Sequence, residues 1–216
     1  MVLYRRVKVW SILLRIFHWA FALSIVILFA TGYYINNPFA LGPWEGTPTN
    51  FIMAKIRYIH FLAGYVFVGA LLLRLYLLIF GNKYERFTDF IILRPRNIRR
   101  LFHTIKAYLY LEEHESHGGH NPLAGTVYLL VIIMSIFMAL SGFYMLYPEG
   151  VWASLGATIF GTQQVARLFH YFLFWVYLIF VMLHLYLVVW NDIFGTEGII
   201  SGIFSGKKFL PVSPED

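Results

Sequence analysis

The chain has 216 residues, a net charge of +6, 59% hydrophobic and 19% aromatic residues, and only 13% charged residues. A water-soluble domain carries roughly 25% charged residues, so this composition describes a chain whose solvent is mostly lipid. Cysteine is absent, which excludes disulfides, thiolate-held zinc, iron–sulfur clusters and thioether-linked haem in this chain; metal or haem chemistry must run through its eight histidines.

Crossing about 30 Å of hydrocarbon takes about 20 helical residues, and four apolar stretches meet that length. The first covers about residues 11–35; it is too long for a secretory signal and leads on without a cleavage site, so it is expected to stay as an anchor. A turn-rich loop follows, with Asn36-Asn37-Pro38, Gly42-Pro43 and Gly46-Thr47-Pro48. The second span covers 56–80 and is closed by Gly81-Asn82. In the next loop, Ile98, Leu101, Phe102, Ile105, Tyr108 and Leu109 recur at helical spacing among Arg99, Arg100 and Lys106. This basic amphipathic helix either lies along the headgroups or packs on the bundle. The third span, 122–147, opens on Pro122, where a missing N–H costs nothing, and stops at Pro148; the fourth covers 166–192. The fold class expected is an all-α integral membrane protein, one four-helix transmembrane domain over residues 1–216.

Short loops rich in Lys and Arg stay in the cytoplasm. Arg5, Arg6 and Lys8 precede the first span, seven basic residues from Lys83 to Lys106 separate the second and third, and Lys207 and Lys208 follow the fourth. The stretches 36–54 and 148–166 carry no Lys or Arg. Both termini and the middle loop are therefore placed in the cytoplasm, and the two neutral loops outside. The net positive charge is thus topological, and nucleic acid is not expected as a partner.

Apart from one short pattern, Arg-x-x-His, no internal repeat is evident. The pattern occurs at Arg15–His18, Arg57–His60 and Arg167–His170, each at the start of a span. Residues three apart share a helix face, and a histidine within hydrocarbon is costly and normally functional. His60 and His170 enter from outside at one level. His184 lies 14 residues after His170, about 21 Å further along the helix and within about 40° of the same face, at the level of His18. Two stacked pairs result, His60 with His170 outside and His18 with His184 inside. Such pairs suit axial ligation of haem iron in a bundle core, and without cysteine the haem is b-type. Arg57 and Arg167 for the outer haem, and Arg15 and Arg74 for the inner, are placed to bind propionates, or else mark helix ends. Gly32 and Gly64 either leave room for a flat macrocycle or serve close helix packing.

At this point the sequence resembles a known family. RIFHW at 15–19, Thr31-Gly32, RYIHFLAGYVF at 57–67, GHNPLA at 119–124, RLFH at 167–170 and HLYLVVWNDIFG at 184–195 are similar to the di-haem b-type cytochrome subunits of membrane-bound nickel–iron hydrogenases. The broader family includes formate dehydrogenase gamma subunits. The resemblance covers essentially the whole chain and implies the same four haem-iron ligands. It also implies an electron-transfer subunit of the cytoplasmic (inner) membrane, without a catalytic residue for hydrogen activation. Its electrons would come from the small iron–sulfur and large hydrogenase subunits, in a multi-copy complex, and pass through two b haems to menaquinone or ubiquinone. By the same precedent the quinone lies near the inner haem, where His120 relays a proton and Asn121 meets a quinone carbonyl; alternatively Asn121 caps the helix opened by Pro122.

Two other functions compete. A formate dehydrogenase or related periplasmic oxidoreductase would keep the haems and change the partner, whereas a haem-free transporter would use the intramembrane histidines as a proton relay. His103 and the EHESHGGH tract, with His114, His117 and His120, lack a metalloprotease spacing and read as solvated loop.

Overall fold

The computed structural model describes residues 4–39, 51–86, 122–194 and 198–211. The expected amphipathic segment at 95–113 and residues His103, His114, His117, His120 and Asn121 fall outside these ranges. Four helices are long and apolar enough to cross a membrane: α1 (Ile12–Asn36), α2 (Ile52–Phe80), α3 (Pro122–Leu146) and, after a short α4 (Gly150–Phe160), α5 (Gln163–Phe194). Each agrees with its expected span to within a few residues at either end. They are apolar on nearly every face and leave Leu23, Val26, Leu72, Ile79, Leu168, Phe172 and Met182 exposed. A soluble helix hides such a stripe, and a helix apolar all round belongs in lipid.

The neutral stretch after Pro148 holds more than turns. Helix α4 has 11 residues, too short to span, so a search for membrane-length segments passes over it. The described chain also contains α6 (Ile199–Ser205) and two strands, β1 (Tyr4–Lys8) and β2 (Lys207–Pro211).

By its contacts the chain divides into two compact units, Met1–Ile16, Leu73–Ser135 and Ile179–Asp216 in the first, and Phe17–Leu72 and Ile136–Leu178 in the second. In the first unit, β1 pairs antiparallel with β2 from Tyr4↔Pro211 to Lys8↔Lys207. Gly206, at φ +78, ends α6, and its carbonyl accepts from Val9 and Trp10. Buried Glu85 binds the N–H of Ser11 at 2.8 Å and that of Asn82 at 3.1 Å. Ser11 in turn caps α1 through Oγ to the Leu14 N–H, so one carboxylate fixes both the entry to α1 and the turn leaving α2.

In the second unit, Phe21 stacks on Phe67 at 4.6 Å, and Phe67 meets Tyr177 edge-on at 6.4 Å. A second cluster joins Tyr144, Phe160 and Ala166. A Cβ on Gly156 would fall 2.0 Å from Tyr144 Cγ, so glycine alone lets α4 approach this ring. Tyr144 Oη donates to the Gly161 carbonyl at 3.1 Å and the Tyr144 carbonyl accepts from Gln163, which anchors the α4–α5 turn to α3.

Candidate functional site

His60 on α2 and His170 on α5 lie in the same unit, half-buried and close enough to interact electrostatically. Each is held in the same way. His60 Nδ1 is 2.8 Å from Thr31 Oγ1 of α1, and His170 Nδ1 is 2.9 Å from Ser141 Oγ of α3; both contacts span 29 residues. The hydroxyl protons are already committed within their own helices, Thr31 to the Ile27 carbonyl at 2.7 Å and Ser141 to the Met138 carbonyl at 3.0 Å. A hydroxyl that gives its one proton to a carbonyl accepts from the imidazole, the arrangement in which Nδ1 carries the ring proton. The neutral tautomer that results leaves the Nε2 lone pair available to a metal.

Glycines flank both rings. A Cβ on Gly32 would sit 3.3 Å from His60 Cε1, and one on Gly142 would sit 3.6 Å from His170 Cε1. At Gly64 an added Cβ would meet nothing within 4 Å. The two nearby arginines of the sequence pattern, Arg57 and Arg167, are exposed. Among the described residues no three His, Cys, Asp or Glu side chains gather into a metal cage. What the second unit offers is two imidazoles, each held through Nδ1 by a hydroxyl and each with a glycine beside it, a donor set that fits a planar macrocycle whose iron needs only two protein ligands.

The other expected ligands fall in different units. His18, in the second, is half-buried with Trp19 edge-on at 5.3 Å; His184, in the first, is exposed beside Phe180 at 5.7 Å. Of the remaining arginines, Arg15 donates through Nη1 to the Phe204 carbonyl, while its buried Nε has no acceptor among the described residues. An orphaned buried N–H is costly and suits a propionate. Arg74, fully buried, gives Nε to Tyr128 Oη at 2.6 Å and Nη1 to the Glu85 carbonyl at 3.0 Å, with Cζ 4.7 Å from the Tyr128 ring centroid.

Ser141 and Gly142 are absent from the residues singled out by sequence, although a signal for them exists. Thr31-Gly32-Tyr33-Tyr34, followed by Arg57 and His60, recurs as Ser141-Gly142-Phe143-Tyr144, followed by Arg167 and His170, every position displaced by 110 residues. The internal repeat is therefore wider than Arg-x-x-His. It escapes a search for identical letters because only glycine, the second tyrosine, arginine and histidine are invariant, with hydroxyl for hydroxyl and aromatic for aromatic between. The copies also pack alike, with Tyr34 and Tyr144 buried at matching positions.

The relatives that the chain matches include proteins named probable Ni/Fe-hydrogenase B-type cytochrome subunit or its hydrogenase 1 form. Those from Azotobacter vinelandii and Rhizobium leguminosarum bv. viciae are each 36% identical, with 94% of this chain and 89% of the relative covered. The one from Escherichia coli (strain K12) is 30% identical over 90% of this chain and 87% of its own length. The prokaryotic cytochrome b561 family matches residues 9–206, nearly the whole described chain, and with four membrane-length helices and paired intramembrane imidazoles this multi-pass membrane protein belongs to that family of b-type cytochromes.

Proposed function

We propose that residues 1–216 work as one di-haem unit that carries electrons from a nickel–iron hydrogenase to quinone, menaquinone or ubiquinone, in the cytoplasmic membrane. The observation that carries this reading is the matched presentation of His60 and His170, each with Nδ1 protonated onto a hydroxyl and Nε2 left for iron. His60 and His170 would hold one haem b and His18 and His184 the other. Bound there, the groups supply reversible one-electron chemistry at iron. Thr31 and Ser141 orient the first pair of ligands, Gly32, Gly142 and Gly64 leave space beside them, and Arg57, Arg167 and Arg15 face propionates. Arg74, already engaged by Tyr128 and the Glu85 carbonyl, contributes its charge at the second level.

The repeat supports the second pair as well. Displacement by 110 residues relates His18 to Tyr128 and Arg74 to His184, so the second pair, like the first, occupies positions of the repeated framework. The relatives' names favour a hydrogenase over formate dehydrogenase as the partner; its small iron–sulfur and large subunits would dock at the neutral-loop side and feed the His60–His170 level. The positive-inside pattern puts both termini in the cytoplasm, with quinone reduction and proton uptake on that side, at His120 and Asn121.

A reduced-minus-oxidised spectrum with pyridine haemochrome quantitation should give two haem b per chain. His184→Ala should halve that number and abolish hydrogen-dependent quinone reduction, while hydrogen oxidation with a soluble dye persists. Full quinone reduction in that variant would overturn the assignment, and absence of any b-type spectrum would favour the haem-free transporter.

A further inference from the structure

Two hydroxyls hold the Nδ1 atoms of His60 and His170, and neither hydroxyl was chosen for helix propensity. Ser and Thr are mediocre helix formers in apolar surroundings, and each needs an acceptor for its own proton. Thr31 and Ser141 meet that need from their own helices, at the Ile27 and Met138 carbonyls. The back-bond takes up the hydroxyl's one proton and so favours the oxygen as acceptor toward the imidazole. Both residues are buried, at 9% and 0% exposure, so water does not compete for the Nδ1–H. Each is followed by a glycine beside the ring it orients; a Cβ would stand 3.3 Å from His60 Cε1 at Gly32, a tight approach, and 3.6 Å from His170 Cε1 at Gly142, in ordinary contact. The unit is a hydroxyl–glycine dipeptide on one membrane-length helix and a histidine 29 residues later on the next membrane-length helix, built twice.

We propose that Thr31 and Ser141 are a matched pair of positioning residues that lock both imidazoles of the His60–His170 level in the Nδ1–H tautomer and set the reduction potential there equally from the two sides. This rests on the assignment of those histidines as iron ligands. A hydrogen bond accepted from Nδ1–H makes the imidazole a stronger donor to the metal and so favours the ferric state. Removing it raises the potential. Second-layer partners of this type change metal affinity or activity by about 10–100-fold. At the lower end, a tenfold shift in the ferrous-to-ferric ratio is about 59 mV for one electron.

The test uses the full chain purified in detergent, with haem content, an optical redox titration and the low-spin ferric electron paramagnetic resonance spectrum. Thr31→Val and Ser141→Ala should each raise the potential of one haem, by similar amounts, and move its g values. The other haem should be unchanged, and the double variant should shift by roughly the sum. Thr31→Ser and Ser141→Thr, which retain the hydroxyl, should restore the parent potential and spectrum. If Thr31→Val loses the haem and Thr31→Ser keeps it, the hydroxyl is again what the site requires. Unchanged potentials and g values at full haem content would overturn the proposal, as would equal losses in the hydroxyl-retaining variants. His60→Ala is the separate control: a parental spectrum with two haems in that variant would remove the ligand assignment itself.

Discussion

Replacing Glu85 with Ala should strongly destabilise the first unit. Glu85 is 1% exposed, and its carboxylate accepts from two backbone N–H groups on opposite sides, Ser11 at 2.8 Å and Asn82 at 3.1 Å. Hydrogen bonds to a charged group contribute about 1.5–3 kcal/mol each, so losing both costs on the order of 3–6 kcal/mol. The fully buried Arg74, which donates to the Glu85 carbonyl, would also lose a neighbouring negative charge. At about 2–4 °C per kcal/mol for a chain of this size, the midpoint should fall by roughly 6–24 °C. Glu85→Gln, which keeps one acceptor and turns its amide toward the second N–H, should fall between parent and Ala. Gel filtration after stepwise heating, followed by intrinsic fluorescence, measures this in detergent. A Glu85→Ala midpoint within about 2 °C of the parent would show that the carboxylate does not clamp the start of α1 to the turn after α2.

Gly156→Ala would place a methyl 2.0 Å from Tyr144 Cγ; overpacking costs about 1–3 kcal/mol, and the same heating assay should show it, since the ring is held by its bond to Gly161. Tyr128→Phe removes the 2.6 Å acceptor from Arg74 Nε and should cost about 1.5–3 kcal/mol, with no change in the optical spectrum of the His60–His170 haem. Gly64→Leu would fill the open space beside α2; normal membrane insertion with less haem per chain is expected, and a full b-type spectrum would show that this space does not receive the macrocycle.

The membrane spans were legible in the sequence because lipid imposes a single rule over some 20 residues at a time, and length with hydropathy reads that rule directly. The four helices accordingly lie where composition puts them, Pro122 at the start of α3 included. Elements shorter than that rule were not legible. Helix α4 has 11 residues and too few to register as a span, and the β1–β2 ladder joins segments some 200 positions apart in the chain, so no local pattern announces it; its Arg and Lys residues read only as topological charge. For the site, a histidine at membrane depth is conspicuous because burying one costs free energy. A serine in the same place costs little and looks ordinary, so Ser141 became visible only through its 2.9 Å contact with His170 Nδ1.

The 110-residue displacement also bears on how many haems the chain holds. It carries His60 onto His170, so that pair maps onto itself and makes one site. The pair His18 and His184 does not map onto itself; its image is Tyr128 and Arg74. A chain that kept histidine at all four of those positions would present two further ligand pairs rather than one. Here the image positions hold a phenol and a guanidinium that bind each other at 2.6 Å, with Arg74 fully buried. Neither can replace a neutral imidazole as an iron ligand of the same kind: arginine stays protonated and offers no lone pair, and tyrosine would bring an anion into apolar surroundings. On the proposed di-haem reading, the duplicated framework thus leaves a second ligand pair at His18 and His184 and none at its image, Tyr128 and Arg74. The exchange there also leaves the permanent positive charge of the buried Arg74, which favours both an anionic propionate and a reduced haem at the proposed second level. Arg74→Met with Tyr128→Phe, which removes that charge along with its partner, should accordingly lower the potential of the His18–His184 haem and leave that of the His60–His170 haem in place; an unchanged pair of potentials would mean that Arg74 serves the helices and not the haem.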